Sequence, residues 1–305
     1  MTASPPAAAA SGATGLADRA PAWSLAVLSM TLIQAGAALS TGLFGAVGPL
    51  GTAWLRLCAG AAIFLALRRP RLRGRTRGEL MGALGLGVTS GLMSMAFLSA
   101  LARIPLGTTV AIEFLGPLTV AVAGTRRLRR LAWPLLALGG VLALTEPWTG
   151  AVDPLGIAFA AASAVGWGSY ILLTSRVGDR FEGLEGLSVT IPVAAATATL
   201  VAAPDTVARV TPLIVAAAFG LALLMPVIPY SLELLALRRL TTSAFGTLMA
   251  LEPAIAMAMG AVVLAQVPAP LEVAGVALVV VAGIGATRGG SRPGPREPVA
   301  IPLID

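Results

Sequence analysis

The sequence predicts an all-α integral membrane protein of ten transmembrane helices, arranged as two inverted five-helix repeats. Three observations predict it. The chain of 305 residues is 57% hydrophobic and 11% charged, with a mean hydropathy of +0.88, which lies outside the range of soluble domains. Its apolar residues form ten stretches, most of them near the roughly 20 residues a helix needs to cross about 30 Å of hydrocarbon. An offset of 136 residues brings matching Gly, Pro and Arg positions into register without a gap.

The ten stretches are 22–45, 48–67, 79–101, 105–124, 131–147, 154–176, 185–203, 211–236, 241–265 and 270–287. Short polar or Pro/Gly breaks separate them. The fifth is short and Pro192 interrupts the seventh. Residues 22–147 and 154–287 make the two five-helix repeats, between tails at 1–21 and 288–305. The N-terminal tail is Pro/Ala-rich and lacks a basic segment followed directly by an apolar core, so it reads as a disordered tail and not as a cleaved signal peptide. Cys58 is the single cysteine and sits among small apolar residues, so it reads as a packing residue.

Charge sets the orientation. RRPRLRGRTR at 68–77 and RRLRR at 126–130 place ten arginines in two connections. With the N-terminus inside, 18 of the 21 basic residues fall on the cytoplasmic side, leaving Arg103 and Arg209 outside and Arg56 within a span. The positive-inside rule therefore predicts that both termini are cytoplasmic. The net charge of +7 belongs to these topogenic loops, and no nucleic-acid partner is expected.

The 136-residue offset pairs Arg103 with Arg239, Pro117 with Pro253, Gly124 with Gly260, Pro134 with Pro270 and Gly139 with Gly275. Each half has five spans, an odd number, so the second half enters from the opposite side. Inverted halves of this kind place their binding sites near the bilayer midplane, at discontinuous helices. Pro117, Pro226, Pro229 and Pro253 are the expected helix-break positions, because a proline leaves the carbonyl four residues back without its donor.

Charges within the spans are Arg56, Glu113, Glu233 and Glu252. Each costs about 2.5–3.5 kcal/mol on insertion scales unless paired or hydrated, which makes them candidate substrate- or proton-binding residues. Arg56 admits two readings, a counter-ion for Glu113 or a receptor for a carboxylate. Glu252 directly precedes Pro253 and lies as deep as Glu113. Glu233 is nearer the cytoplasmic end and close to Arg238, where an interfacial pair is the competing account. Tyr230 lies three residues before Glu233 on the same helical face, positioned to hydrogen-bond a ligand or to sit at the interface.

Three segments, IQAGAALSTGLFGAVGPLGTAWLRL (33–57), PLGTTVAIEFLGPLTVAV (105–122) and IPYSLELLALRRLTTSAFGTLMALEPAIA (228–256), resemble the EamA-type branch of the drug/metabolite transporter superfamily. Within it they look most like the bacterial inner-membrane exporters of threonine and homoserine. The likeness runs from about residue 22 to 287 and covers all ten spans. It implies a ten-helix inverted-repeat fold in the inner membrane and proton-driven efflux of small amino acids; the glycines from Gly82 to Gly91 suit helix packing within a monomer as well as a homodimer. On that reading Glu113 holds a proton and a substrate ammonium in turn, since desolvation disfavours the charged form of an acid and a nearby cation favours it. The family often ends its ninth span with Gly-Glu, where this chain has Ala265 and Gln266. A coupling or gating role for that acid does not carry over.

Other classes fit less well. An ATP-driven pump needs a nucleotide-binding motif, and the chain has no G-x-x-x-x-G-K-[ST] and no lysine. A metalloenzyme needs ligands, and there is no histidine and one cysteine. No nucleophile motif supports an intramembrane hydrolase. The expectation is a carrier and not an enzyme, with no cofactor and no metal; its partners are a small amino acid, protons and the bilayer. A carrier for another small metabolite or drug-like cation, or a channel, is the alternative.

Overall fold

The computed structural model describes residues 21–67, 76–123, 131–146, 149, 152–177, 183–237 and 239–288. Residues 1–20 and 289–305 of the expected tails, most of the arginine-rich connections, Arg180 and Arg238 lie outside the described residues. Among those residues all regular structure is helical. The helices are α1 (Ala22–Ser40), α2 (Phe44–Leu67), α3 (Arg77–Leu101), α4 (Leu106–Glu113), α5 (Leu115–Ala123), α6 (Ala132–Thr145), α7 (Pro154–Val177), α8 (Gly183–Thr206), α9 (Pro212–Ala222), α10 (Ile228–Leu237), α11 (Thr242–Met249), α12 (Glu252–Leu264) and α13 (Pro270–Arg288).

Eight helical stretches among the described residues are long and apolar enough to cross a membrane. The first expected boundary is less abrupt than the sequence suggests. Residues 22–45 and 48–67 belong to one 46-residue run, Ala22–Leu67, tightened by a 3₁₀ turn at Thr41–Leu43 and bent at Gly48, whose φ of 72° and ψ of 170° are non-helical. The linking sequence STGLFGAVG has no charge to draw it into water, so the helix continues until a glycine supplies a conformation that other residues avoid. Pro49 follows it in the first turn after the bend, where its missing N–H costs little. The expected fifth span appears as α6, with 14 residues. At 1.5 Å per residue it covers about 21 Å, less than the hydrocarbon thickness.

Three expected spans are discontinuous. The stretch 105–124 divides into α4 and α5 around Phe114, and 241–265 divides into α11 and α12 around Ala250 and Leu251. α4 and α11 start and end 136 residues apart. In both cases the proline lies just beyond the break: Pro117 at the third position of α5 and Pro253 at the second of α12, in the first turn where proline is tolerated. The stretch 211–236 divides at Leu223–Val227, where Met225 is extended (φ −161°, ψ 111°) ahead of Pro226, as steric conflict with a following proline favours. Pro229 is not itself a break; it occupies the second position of α10. Pro192 lies inside α8.

Much of the large apolar surface faces outward, including Leu200 at 82% and Leu213 at 79% exposure, as expected of helices solvated by lipid. The interior relies on small residues for close approach. A Cβ on Gly91 would stand 2.8 Å from the Ala194 carbonyl, so the glycines of α3 pack against α8 within one molecule. Gly140 of α6 and Gly275 of α13 face each other in the same way. Most buried hydroxyls are satisfied within their own helix: Thr52 donates to the Gly48 carbonyl, Thr109 to Pro105 and Thr145 to Val141. The few that reach other elements therefore stand out.

Candidate functional site

Arg56 lies in the middle of α2 and is 2% exposed. Its Nη2 donates to Ser94 Oγ of α3 at 2.8 Å, and its Nη1 reaches Ser40 Oγ of α1 at 3.5 Å and Met225 Sδ at 3.6 Å. The extended Met225 before Pro226 thus brings a thioether to the guanidinium. Arg56 makes no ion pair with Glu113, so the counter-ion reading is not realised as a direct contact; Arg103 and Asp153 do pair, at 3.5 Å.

The three acids come from three helices, and each has a different neutral partner. Glu113 ends α4 and accepts from Ser163 Oγ of α7. Pro117 removes the donor that would have met the Glu113 carbonyl. Glu233 of α10 accepts from Ser29 Oγ of α1 at 3.0 Å, while the same hydroxyl lies 3.1 Å from the Pro229 carbonyl. This partner comes from inside the bundle; Arg238, its expected interfacial neighbour, lies outside the described residues. Glu252 opens α12 and accepts from Gln34 Nε2 of α1 at 3.1 Å.

These groups share one interior. Arg56 lies within electrostatic reach of Glu113 and Tyr230, Glu252 within reach of Glu113 and Glu233, and half-buried Tyr230 within reach of Tyr170, Glu233, Arg56 and Glu252. The sequence-selected residues Arg56, Glu113, Tyr230, Glu233 and Glu252 thus form one cluster. If every acid in it were ionised, one cation would face three anions. Burying that imbalance is costly, so the cluster calls for protons, a cationic ligand, or both.

Sequence reasoning missed Gln34, Ser29, Ser94 and Ser163, which hold the charged groups. Gln34 is a neutral amide in an otherwise apolar stretch of α1, and that polarity was the available signal. The serines carry none, because their composition matches hydroxyls that only bond their own helix. Gln266, a departure from the family pattern in the sequence, accepts at its Oε1 from the Leu106 N–H at 3.1 Å, tying the end of α12 to the start of α4.

A separate cavity of about 280 Å³ lies beside the Gly48 bend, lined by Ser99, Arg103, Asp205 and Arg209 among others. Arg103 also lies over the Phe159 ring at 5.5 Å. Arg103 and Arg209 thus line one and the same cavity.

Long apolar helices around a buried charged cluster define a multi-pass membrane protein. Residues 154–287 match the EamA-like transporter family. The chain is 31% identical over 283 residues to the threonine/homoserine exporter RhtA of Escherichia coli strain K12, covering 90% of this chain and 94% of the relative. The protein of the same name from Salmonella typhimurium strain LT2 is 31% identical over 284 residues, with the same coverage. A solved crystal structure with 21% identity superimposes with a TM-score of 0.57, covering 87% of this chain and 97% of the other; this likeness concerns the fold. The chain belongs to the EamA-like transporter family.

Proposed function

We propose that the protein is a proton-coupled exporter of small zwitterionic amino acids, threonine and homoserine first, working in the bacterial inner membrane with both termini cytoplasmic. The observation that carries this reading is the imbalance of the buried cluster, one arginine among three carboxylates from α4, α10 and α12. A zwitterion offers the complementary pair of charges. Arg56 receives its carboxylate, using guanidinium donors beyond those engaged with Ser94, Ser40 and Met225. The acids draw its ammonium, and Glu113 exchanges a proton for it. Tyr230 and Glu233 line the same interior and complete the polar path.

The name of the curated relatives supports the substrate class, and the family supports a carrier. The matched breaks of α4–α5 and α11–α12, 136 residues apart, support ten crossings in two inverted halves, 22–147 and 154–287. In such folds the broken helices flank the site, as α4 and α12 do here.

Counterflow tests the reading. Purified protein in proteoliposomes preloaded with threonine should accumulate labelled threonine or homoserine transiently, and a panel of organic cations should neither be taken up nor compete. Cation uptake without amino-acid counterflow would replace this substrate class, and a steady conductance would replace the carrier by a channel.

A further inference from the structure

Two buried side chains meet between α1 and α12 and share one deficit. Gln34 is 2% exposed and Glu252 is 5% exposed. Gln34 Nε2 donates to Glu252 Oε1 at 3.1 Å. After that bond, Gln34 Oε1 and Glu252 Oε2 are buried with no hydrogen-bond partner, the two side-chain atoms in that condition among the described residues. Both are acceptors, and buried acceptors without donors are costly. The other two acids differ in this respect: Glu113 and Glu233 each face a serine hydroxyl, which rotates to donate. Glu252 alone faces an amide, which leaves an acceptor of its own beside the carboxylate.

We propose that Gln34 and Glu252 form a two-state acceptor pair that holds either one proton or the substrate's ammonium group. In the first state the proton sits on Glu252 Oε2 and donates to Gln34 Oε1. With the existing N–H···O bond this closes an acid–amide ring of two hydrogen bonds, in which each planar group gives one donor and takes one. In the second state the proton has left to water in the transport path. The same two oxygens then accept two of the three N–H groups of an ammonium. The inference rests on the exporter reading for the identity of that ammonium, and adds to it a subsite and a residue, Gln34, with Glu113 passing the transported proton between the pair and the path so that coupling needs both acids.

The surroundings suit both states. From α4 Glu252 faces Glu113, and from α10 Glu233 and Tyr230. α1 carries no titratable group. α13 carries Glu272 in its first turn, bonded to the Ala269 N–H, and Arg288 at its last position. The nearest charged neighbours of the pair are therefore acids, which attract either a proton or an ammonium. A hydroxyl in place of the ammonium brings one donor to two acceptors, so the pair discriminates an amino acid from its 2-hydroxy analogue.

Infrared difference spectroscopy of the protein in lipid bilayers tests this. Stepping the pH without any amino acid should reveal a protonated-carboxyl band that is absent from Glu252→Gln. The band should move to higher frequency in Gln34→Leu, which removes the amide partner. Gln34→Met keeps the side-chain length should the leucine variant fail to fold. L-Threonine should abolish the band in the unsubstituted protein. In counterflow, Gln34→Leu should raise the threonine KM about tenfold, the loss of one hydrogen bond to a charged group, and reduce the preference for threonine over its 2-hydroxy analogue. Glu113, which the exporter reading also protonates, contributes a band of its own that is lost in Glu113→Gln; a spectrum from which Glu252→Gln removes no band would overturn the pair while leaving the exporter reading intact. A band indifferent to Gln34→Leu would overturn the ring, and one indifferent to threonine in protein that shows counterflow would overturn the ammonium site. If threonine is not carried at all, the exporter reading fails, and the pH steps still decide whether the ring exists.

Discussion

Arg56 keeps a full charge in the interior with two serine hydroxyls and a thioether as its direct partners. Those contacts fix the head group without neutralising it, which suits a receptor for a carboxylate better than a structural ion pair. Arg56→Gln should therefore lose transport by roughly 10- to 100-fold, the worth of a hydrogen bond to a charged group. Arg56→Lys should keep part of it. Counterflow rates at equal protein density check this, and an unimpaired glutamine variant would reduce Arg56 to packing. The charged residues of the site were legible in the sequence because a charge stands out among 20 apolar neighbours. Gln34 and the serines were not, because their roles depend on pairings such as Gln34 with Glu252, 218 residues apart, which a single sequence does not reveal.

At the scale of elements, the broken helices depend on bonds made to other helices. Pro105 gives α4 no side-chain cap; Gln266 supplies one from beyond the end of α12. Gln266→Leu should cost about 0.5–2 kcal/mol, as loss of a cap does. Gln266→Glu should cost less, because a carboxylate accepts the same bond and suits a helix N-terminus. Thermal unfolding in detergent would rank the two, and equal losses would show that the bond contributes nothing. α6 and α13 approach through glycine, where a Cβ on Gly275 would stand 2.7 Å from the Gly140 carbonyl. Gly275→Val should therefore destabilise by about 1–3 kcal/mol through overpacking, read in the same assay; an unchanged melting temperature would mean that the two helices separate freely. The breaks near Pro117, Pro226 and Pro253 were readable because proline chemistry is local. The continuous run from α1 into α2 was not, since STGLFGAVG reads as a turn by its glycines and as a helix by its lack of charge, and only packing decides between them.

For the whole molecule, the proposed inversion of the two halves and the arginine-rich connections make one statement about orientation. Reporter fusions after Arg77 and Arg130 should read cytoplasmic and a fusion after Asp153 the opposite side; a reversed reading at Arg77 would overturn the topology. Composition made the membrane fold legible, and the 136-residue offset anticipated the matched boundaries of α4 and α11. The gathering of Arg56 beside Glu113, and of Glu113 and Glu233 beside Glu252, is a property of the assembled bundle that no single stretch encodes. The central claim is that this cluster couples export to protons through Glu113, and uptake of labelled threonine into inside-out vesicles tests it most directly. With an acidic lumen, the unsubstituted protein should accumulate threonine against its gradient and lose that accumulation when the pH gradient is collapsed. Glu113→Gln, expressed at the same level, should not accumulate it, and Glu113→Asp should do so slowly. Accumulation by Glu113→Gln that still follows the imposed pH gradient would contradict the account.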